Sequence, residues 1–185
     1  MINLTVITVC YNCKKDLLKT INSVKQQDNQ NFEYIIIDGG STDGTLEVIK
    51  DNLIYIDNYV SEIDNGIYDA MNKGINLSNG QNILFLNSGD IFADPKVTDS
   101  IISNKSQWDV LYGDVILENS KRQAVKYQPK ELTLNYLFIN NLCHQSMIFK
   151  KYLFSDIGLF DTDEFVFADY KLLLTIFKSN KKLFI

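Results

Sequence analysis

Apolar residues along this chain gather into short runs, each closed by a small polar cluster. The clearest is Ile83-Leu84-Phe85-Leu86, followed at once by Asn87-Ser88-Gly89-Asp90. An unbroken apolar run of that length reads as a strand buried on both faces. Leu4 to Val9 is a β-branched run of the same kind. Glu33 to Ile37 ends at Asp38-Gly39-Gly40. Ile54 to Val60 is a looser strand leading to Ser61-Glu62-Ile63-Asp64, and Trp108 to Tyr112 is a fifth. Helical spacing fills the intervals. Leu17, Leu18, Ile21 and Val24 mark a helix over Lys14 to Gln27. Leu46, Val48 and Ile49 mark another, with Ser41 or Thr42 as its cap. Two more are expected over Ile67 to Leu77 and Val97 to Ser103.

Strands alternating with helices across short links predict the α/β class: a mostly parallel sheet with helices on both faces. After Gly113-Asp114 the rhythm changes. Val115 to Leu117 and Ala124 to Tyr127, joined through Asn119-Ser120-Lys121-Arg122, predict a hairpin. A helix over Glu131 to Asn140, a strand over His144 to Phe149 and an amphipathic helix over Asp169 to Ser179 follow. Lys181-Lys182-Leu183-Phe184-Ile185 opens another strand, which reads as a fold continuing past the last residue. Trp108, Tyr112, Tyr136 and Phe138 are expected in the core, with Tyr136 the one that would face a ligand.

A chain of 185 residues suffices for one domain with a full core. With 45% apolar and 22% charged residues the composition is that of a soluble globular protein. The net charge of −5 argues against nucleic acid, whose binders carry a basic face. No window approaches the roughly 20 apolar residues of a membrane span, and Met1-Ile2-Asn3 runs straight into a strand with no signal peptide. Three cysteines are too few for a disulfide framework and imply a reducing compartment. Cys10-Tyr11-Asn12-Cys13 is a C-x-x-C between a strand and a helix, but the sheet is larger than a thioredoxin-like fold needs. Zinc held by Cys10, Cys13, Cys143 and His144 would use two adjacent ligands, a poor geometry. Chance spacing is the reading carried forward.

Three strands lead to carboxylates: Asp38, Asp64 and Asp90. Parallel strands deliver all three to one edge of the sheet, where α/β proteins bind ligands. A single loop acid is usually a turn former or a cap; three in phase point to a site. Clustered carboxylates raise one another's pKa unless a cation lies between them. A hard divalent ion bridging to a diphosphate resolves this, since few basic side chains lie in these loops.

The stretches Thr5 to Asn12, Ile35 to Gly44, Glu62 to Gly74 and Phe85 to Asp90 resemble, in order and spacing, the inverting family 2 glycosyltransferases. The likeness continues more weakly through Cys143 to Ser146, Ile157 to Asp161 and Ala168 to Leu172. It implies the GT-A (nucleotide-diphospho-sugar transferase) fold, as one domain over 1–185. Residues 1–114 form the nucleotide-sugar half and 115–185 the acceptor half, incomplete at its C-terminus. It implies that Thr8, Tyr11 and Asn12 line the nucleotide pocket, that Asp38 accepts from the base N–H, and that Asp64 lies near ribose and diphosphate. Asn87, Ser88, Gly89 and Asp90 occupy the family's metal motif, where Asp-x-Asp-Asp is common. Asn87 and Gly89 replace acids there, and Gly89 would let the backbone approach the diphosphate. Asp169 matches the family's general base, with Ala168 in place of the usual Glu. His144, which follows the nucleotide half and precedes the base, is expected at the metal or diphosphate, with Gln145 a weaker candidate.

The activity implied is inverting transfer of a hexosyl or N-acetylhexosaminyl group from a nucleotide-diphosphate donor, UDP first among the bases. The acceptor is a glycan or lipid-linked saccharide of bacterial capsule, exopolysaccharide or O-antigen, and Mn²⁺ or Mg²⁺ is the cofactor. The setting is the cytoplasm, with peripheral association at the inner face of the cell membrane. A non-catalytic or degenerate nucleotide-binding module is the alternative, supported by the thinned metal motif. A dehydrogenase would need G-x-G-x-x-G after the first strand, which carries Cys10-Tyr11-Asn12-Cys13 instead. A nucleotidyltransferase would need a Gly-rich, basic phosphate loop there.

Overall fold

Every residue of β1 (Leu4–Cys10), β2 (Glu33–Asp38) and β4 (Asn82–Phe85) is buried, as unbroken apolar runs require. A computed structural model describes residues 2–119, 122–140, 142–164 and 166–185. The remaining strands of the main sheet are β3 (Asn58–Ser61), β5 (Val110–Tyr112), β8 (Met147–Lys150) and β9 (Leu183–Phe184). Their order is β3-β2-β1-β4-β8-β5-β9. β8 runs antiparallel to both of its neighbours, and the other pairings are parallel. A separate exposed hairpin joins β6 (Val115–Asn119) to β7 (Arg122–Lys126). The expected turn of that hairpin, Ser120-Lys121, lies outside the described residues.

Side chains alternate across the sheet and so build two cores. Ile7, Val9, Ile35, Ile37 and Phe85 pack against α3 (Ile67–Leu77) and α7 (Ala168–Lys178) through Met71, Ile75, Leu172 and Ile176. Val6, Tyr34, Ile36 and Leu84 pack against α1 (Lys14–Lys25), α2 (Thr45–Asp51) and α4 (Val97–Ser103) through Leu17, Ile21, Val24, Ile49 and Ile101. Helix α3 presses onto the sheet so closely that a Cβ on Gly74 would stand 2.5 Å from Ile7 Cγ2. Gly74→Ala is therefore expected to lower stability despite gaining about 1 kcal/mol in helix propensity. Overpacking costs about 1–3 kcal/mol, and a denaturant midpoint above wild type would refute this.

Four expectations need correction. Leu53–Tyr55 forms a 3₁₀ turn with Ile54 87% exposed, so the strand expected from Ile54 begins only at Asn58 and ends at Ser61. It is an edge strand with one partner, and Asp57 carries the chain back by accepting from Tyr34 N–H. The strand expected from His144 begins only at Met147, because His144–Ser146 is a 3₁₀ turn. Apolar periodicity carries no strand direction, so the reversal of β8 was invisible in it. Phe138 is 70% exposed: α5 (Leu134–Ile139) packs through Leu137 instead. Neither Ser41 nor Thr42 caps α2; Asp43 Oδ1 accepts from Thr45 N–H at 3.0 Å. The short helix α6 (Tyr152–Asp156) was not anticipated. Among the described residues, no helix is long and apolar enough to cross a membrane.

Candidate active site

Parallel pairing of β2, β1 and β4 brings their carboxyl ends to one edge, and the loops beyond them interlock. Asp38 ends β2 with no exposed surface. Its Oδ1 accepts from the Ser41 hydroxyl, and its Oδ2 accepts from the Ser61 hydroxyl at 2.6 Å. Ser41 N–H donates as well, at 3.2 Å. In this conformation Asp38 ties the loops after β2 and β3 together, facing inward rather than toward a base. Thr8 is equally buried; its hydroxyl donates to Leu86 O at 2.7 Å and joins β1 to β4. Asn12 adopts a left-handed φ of 47°, which Asn tolerates better than most residues. Its Oδ1 accepts from Thr42 N–H and its own N–H donates to Ser41, both at 2.8 Å. Tyr11, 65% exposed, is the side chain this loop offers to solvent. Asp64 folds back over the end of β2: a Cβ on Gly39 would stand 2.6 Å from its Oδ2, so a larger residue there would displace the Asp64 carboxylate.

Beyond β4, Asn87 to Asp90 form a turn closed by Asp90 N–H donating to Asn87 O at 2.9 Å. Gly89 takes φ 101°. Thr20 of α1 pins the turn, accepting from Gly89 N–H at 2.9 Å and donating to Asp90 O at 2.8 Å. Burial pushes the Asp90 carboxyl above the usual range, opposed by the charge of His144 and a hydrogen bond from Gln145.

Across from this turn stands a chain of polar contacts that sequence reasoning did not assemble. Asn87 Nδ2 lies 3.0 Å from His144 Nε2, and His144 Nδ1 lies 3.1 Å from Asp169 Oδ2. The Tyr68 hydroxyl is 3.0 Å from Asp169 Oδ1 and 2.9 Å from Val166 O. Four elements thus meet: the β4 turn, the 3₁₀ turn before β8, the first turn of α7 and the first turn of α3. Burial alone would raise the Asp169 carboxyl. Hydrogen bonding and charge from His144, with the Tyr170 N–H and the Tyr68 hydroxyl, outweigh it and hold the group below the usual range. Burial, then the charge of Asp169, pushes the Tyr68 phenol up to about 12, so it remains a donor at neutral pH. Both His144 nitrogens have protein partners, Asn87 and Asp169, so the structure joins His144 to Asp169. Tyr68 received no role from the sequence. Its signal was a tyrosine in the first turn of the helix that follows Asp64.

Tyr68→Phe tests this arrangement. Losing one donor lets the Asp169 carboxyl rise toward its ordinary value. We expect the acid limb of the pH–rate profile to move to higher pH, with the plateau rate falling about three- to thirty-fold. A profile superimposable on wild type would disconnect Tyr68 from Asp169.

A divalent cation is tested by the donors present. Among the described residues, no three His, Cys, Asp or Glu side chains converge as a metal-holding group. Asn87 Oδ1, however, is buried without a hydrogen-bond partner, in the same turn as the half-buried Asp90. One carboxylate and one unpaired amide oxygen are hard ligands, and Mg²⁺ or Mn²⁺ commonly takes one or two protein oxygens and completes its shell with phosphate and water. The residues fit such an ion when a diphosphate arrives with it.

The fold is shared with known transferases. The S. aureus TarS 1–349 structure in complex with UDP superposes with a TM-score of 0.81 at 21% identity, covering 99% of this chain and 57% of that one. The mannosyltransferase PcManGT from Pyrobaculum calidifontis, in complex with GDP-Man and Mn²⁺, gives 0.74 at 16% identity over 98% and 54%. The chain therefore has the GT-A fold of the nucleotide-sugar transferases. The glycosyl transferase family 2 profile matches residues 5–156, and the chain belongs to that family. A PGL/p-HBAD biosynthesis glycosyltransferase of Mycobacterium bovis is 30% identical over 169 residues. The match covers 86% of this chain and 63% of the relative, so the chain spans less than two thirds of that protein's length. The Escherichia coli UDP-Glc:alpha-D-GlcNAc-diphosphoundecaprenol beta-1,3-glucosyltransferase WfaP is 33% identical over 102 residues, covering 52% of this chain and 39% of WfaP.

Proposed function

We propose that this chain transfers a hexosyl or N-acetylhexosaminyl group from a nucleotide-diphosphate donor, with inversion, to a hydroxyl of a glycan or lipid-linked acceptor. UDP is the expected nucleotide, as in the TarS complex and the WfaP donor. The setting is bacterial surface polysaccharide assembly at the cytoplasmic face of the membrane. The observation that carries the reading is the Asp169 carboxylate, oriented by His144 and Tyr68 opposite the Asn87–Asp90 turn.

Each residue then has a physical task. Asp169 takes the proton of the acceptor hydroxyl as that oxygen attacks the anomeric carbon. An ionised carboxylate has about four lone-pair sites. His144, Tyr68 and the Tyr170 N–H engage it without filling all four, leaving room for an incoming hydroxyl. His144 and Tyr68 are positioning residues, and we assign His144 to Asp169 rather than to the metal. Asp90 and Asn87 Oδ1 would hold the cation, which supplies charge neutralisation for the departing diphosphate. Tyr11, Asn12, Asp64, Ser88 and Gly89 line the donor side of residues 1–114. Thr8 and Asp38 support that side from within the sheet. On the acceptor side, an open apolar groove of about 660 Å³ runs between α5 and α7 past Phe138, Phe167 and Tyr170. Its Phe167 end lies beside Asp169, a fit for the apolar part of a lipid-linked acceptor.

The test is a panel of UDP-, GDP- and dTDP-sugars, scored by nucleotide release with and without Mn²⁺. Release from one donor that disappears in Asp169→Asn supports the reading. Tight nucleotide binding with no release from any donor or acceptor would favour the non-catalytic module.

A further inference from the structure

Helix α3 carries an amide on its buried side, where an apolar residue would pack without needing a partner. Asn72 is only 9% exposed, among the buried residues Tyr68, Met71 and Ile75. Asn is a poor helix-interior residue, and a buried amide costs stability unless it is bonded. Both ends of this amide go to one residue. Nδ2 donates to Phe160 O at 2.9 Å, and Oδ1 accepts from Phe160 N–H at 3.0 Å. Phe160 is buried and lies outside any helix or strand, so its backbone has no ladder to join. Buried backbone groups need partners, and Asn72 supplies both, as a neighbouring strand would. Tyr68 lies one turn before Asn72, which puts the two side chains on one face of α3. The Phe160 ring stacks on the Tyr68 ring with centroids 5.6 Å apart and planes 27° apart. It also meets Phe85, the last residue of β4, edge-on at 5.5 Å. Asp161, the next residue, pairs with Lys171 of α7. Phe160 is thus held through its backbone by Asn72. Its ring packs on Tyr68, whose hydroxyl reaches Asp169 Oδ1 and Val166 O.

We propose that Asn72 is a positioning residue for Asp169, acting through Phe160 and Tyr68. Asn72 fixes where the segment from Ile157 to Asp161 crosses α3, and so fixes the Phe160 ring against Tyr68. A tyrosine ring turns freely about its last torsion unless packing holds it. The stacked ring holds one orientation, in which the hydroxyl donates to the Asp169 carboxylate. Leu in place of Asn72 keeps the same number of side-chain heavy atoms but bonds nothing. The Phe160 N–H and C=O would then lose their partners, and the segment would shift to regain them from water. No substrate touches Asn72 and no proton moves there; its task is the placement of the two rings and, through them, of the base. The kinetic consequence rests on the general-base reading of Asp169 given above, while the placement itself does not.

The experiment compares Asn72→Leu, Asn72→Ala, Tyr68→Phe and the Asn72→Ala/Tyr68→Phe double variant with wild type, in the whole chain. All are assayed at a temperature where thermal melts show them folded, and the Ala variant, which adds no bulk, carries the test if Leu does not fold. UDP release from UDP-glucose and UDP-N-acetylglucosamine with Mn²⁺ gives kcat, and UDP titration gives affinity. Carbon NMR of labelled aspartate follows the Asp169 carboxyl, assigned by its absence in Asp169→Asn. In the Asn72 variants kcat should fall about tenfold, the cost of a misplaced group, with UDP affinity within about threefold of wild type. The Asp169 carboxyl should titrate closer to its ordinary value, as in Tyr68→Phe. Because both residues act on one contact, the double variant should lose less than about threefold beyond Tyr68→Phe alone. Full kcat per folded molecule with a lowered Tm would make Asn72 purely structural and overturn the proposal. So would an Asp169 carboxyl that titrates as in wild type, or losses that multiply in the double variant. Wild-type protein that releases no UDP from either sugar would instead refute the UDP-sugar reading, and the carboxyl titration then decides the placement alone.

Discussion

Replacing Asp169 with Asn is expected to lower kcat by about 10²–10⁴-fold, the usual worth of a general base, while UDP affinity stays within about threefold of wild type. In the proposed role the carboxylate would touch the acceptor and not the donor, so the loss falls on turnover. Asn keeps an oxygen for Tyr68 but presents an amide to the His144 N–H. One hydrogen bond is lost, about 1 kcal/mol, and Tm should fall by about 2–4 °C. The pH dependence has a defined sign. The folded carboxyl lies below its unfolded value, so the base form and its stabilising contribution are both present at neutral pH. Both are lost only as pH falls through the folded value, which lies below the ordinary Asp value of about 3.9. Steady-state rates against pH check this directly. An Asn variant with near wild-type turnover would remove Asp169 from the chemistry.

Asp38→Ala should lose stability and nucleotide binding together. The Ser41 and Ser61 hydroxyls and the Ser41 N–H would lose their acceptor where Asp38 is now fully buried. Buried donors left unpaired cost about 1–3 kcal/mol each, softened by any water that enters. A total of about 2–5 kcal/mol corresponds to a Tm loss of about 5–15 °C in a chain of this size. Asp38→Asn, which keeps one acceptor oxygen, should recover about half of that loss. If Asp38 instead served only to read a base, the Ala variant would melt near wild type and lose selectivity among UDP, GDP and dTDP. Thermal melts followed by nucleotide titration distinguish the two roles.

The strand ends were legible because chain periodicity alone places them. Buried runs at Leu4, Glu33 and Ile83 set parallel strands, and parallel strands set which acids share an edge. Asp169 was legible only through its place at the start of a late helix and the family resemblance. What joins these residues was not legible. Tyr68 meets Asp169 across 101 positions, Asn87 meets His144 across 57, and Ser61 reaches Asp38 across 23. Such contacts depend on how α3 and α7 lie on the sheet, which no local spacing encodes. The reversal of β8 was hidden for a related reason: an apolar run of three, Met147-Ile148-Phe149, reads the same in either direction.

The central claim is that the edge formed by β2, β1 and β4 is a nucleotide-diphosphate site closed by a divalent ion at Asp90. Calorimetric titration of this chain with UDP, GDP and dTDP, each with and without Mn²⁺, tests it most directly. The account predicts binding of UDP that requires the metal and is lost in Asp90→Ala while the variant melts as wild type. Folded protein that binds none of the three nucleotides, or binds them equally with and without the ion and with Asp90 removed, would contradict it.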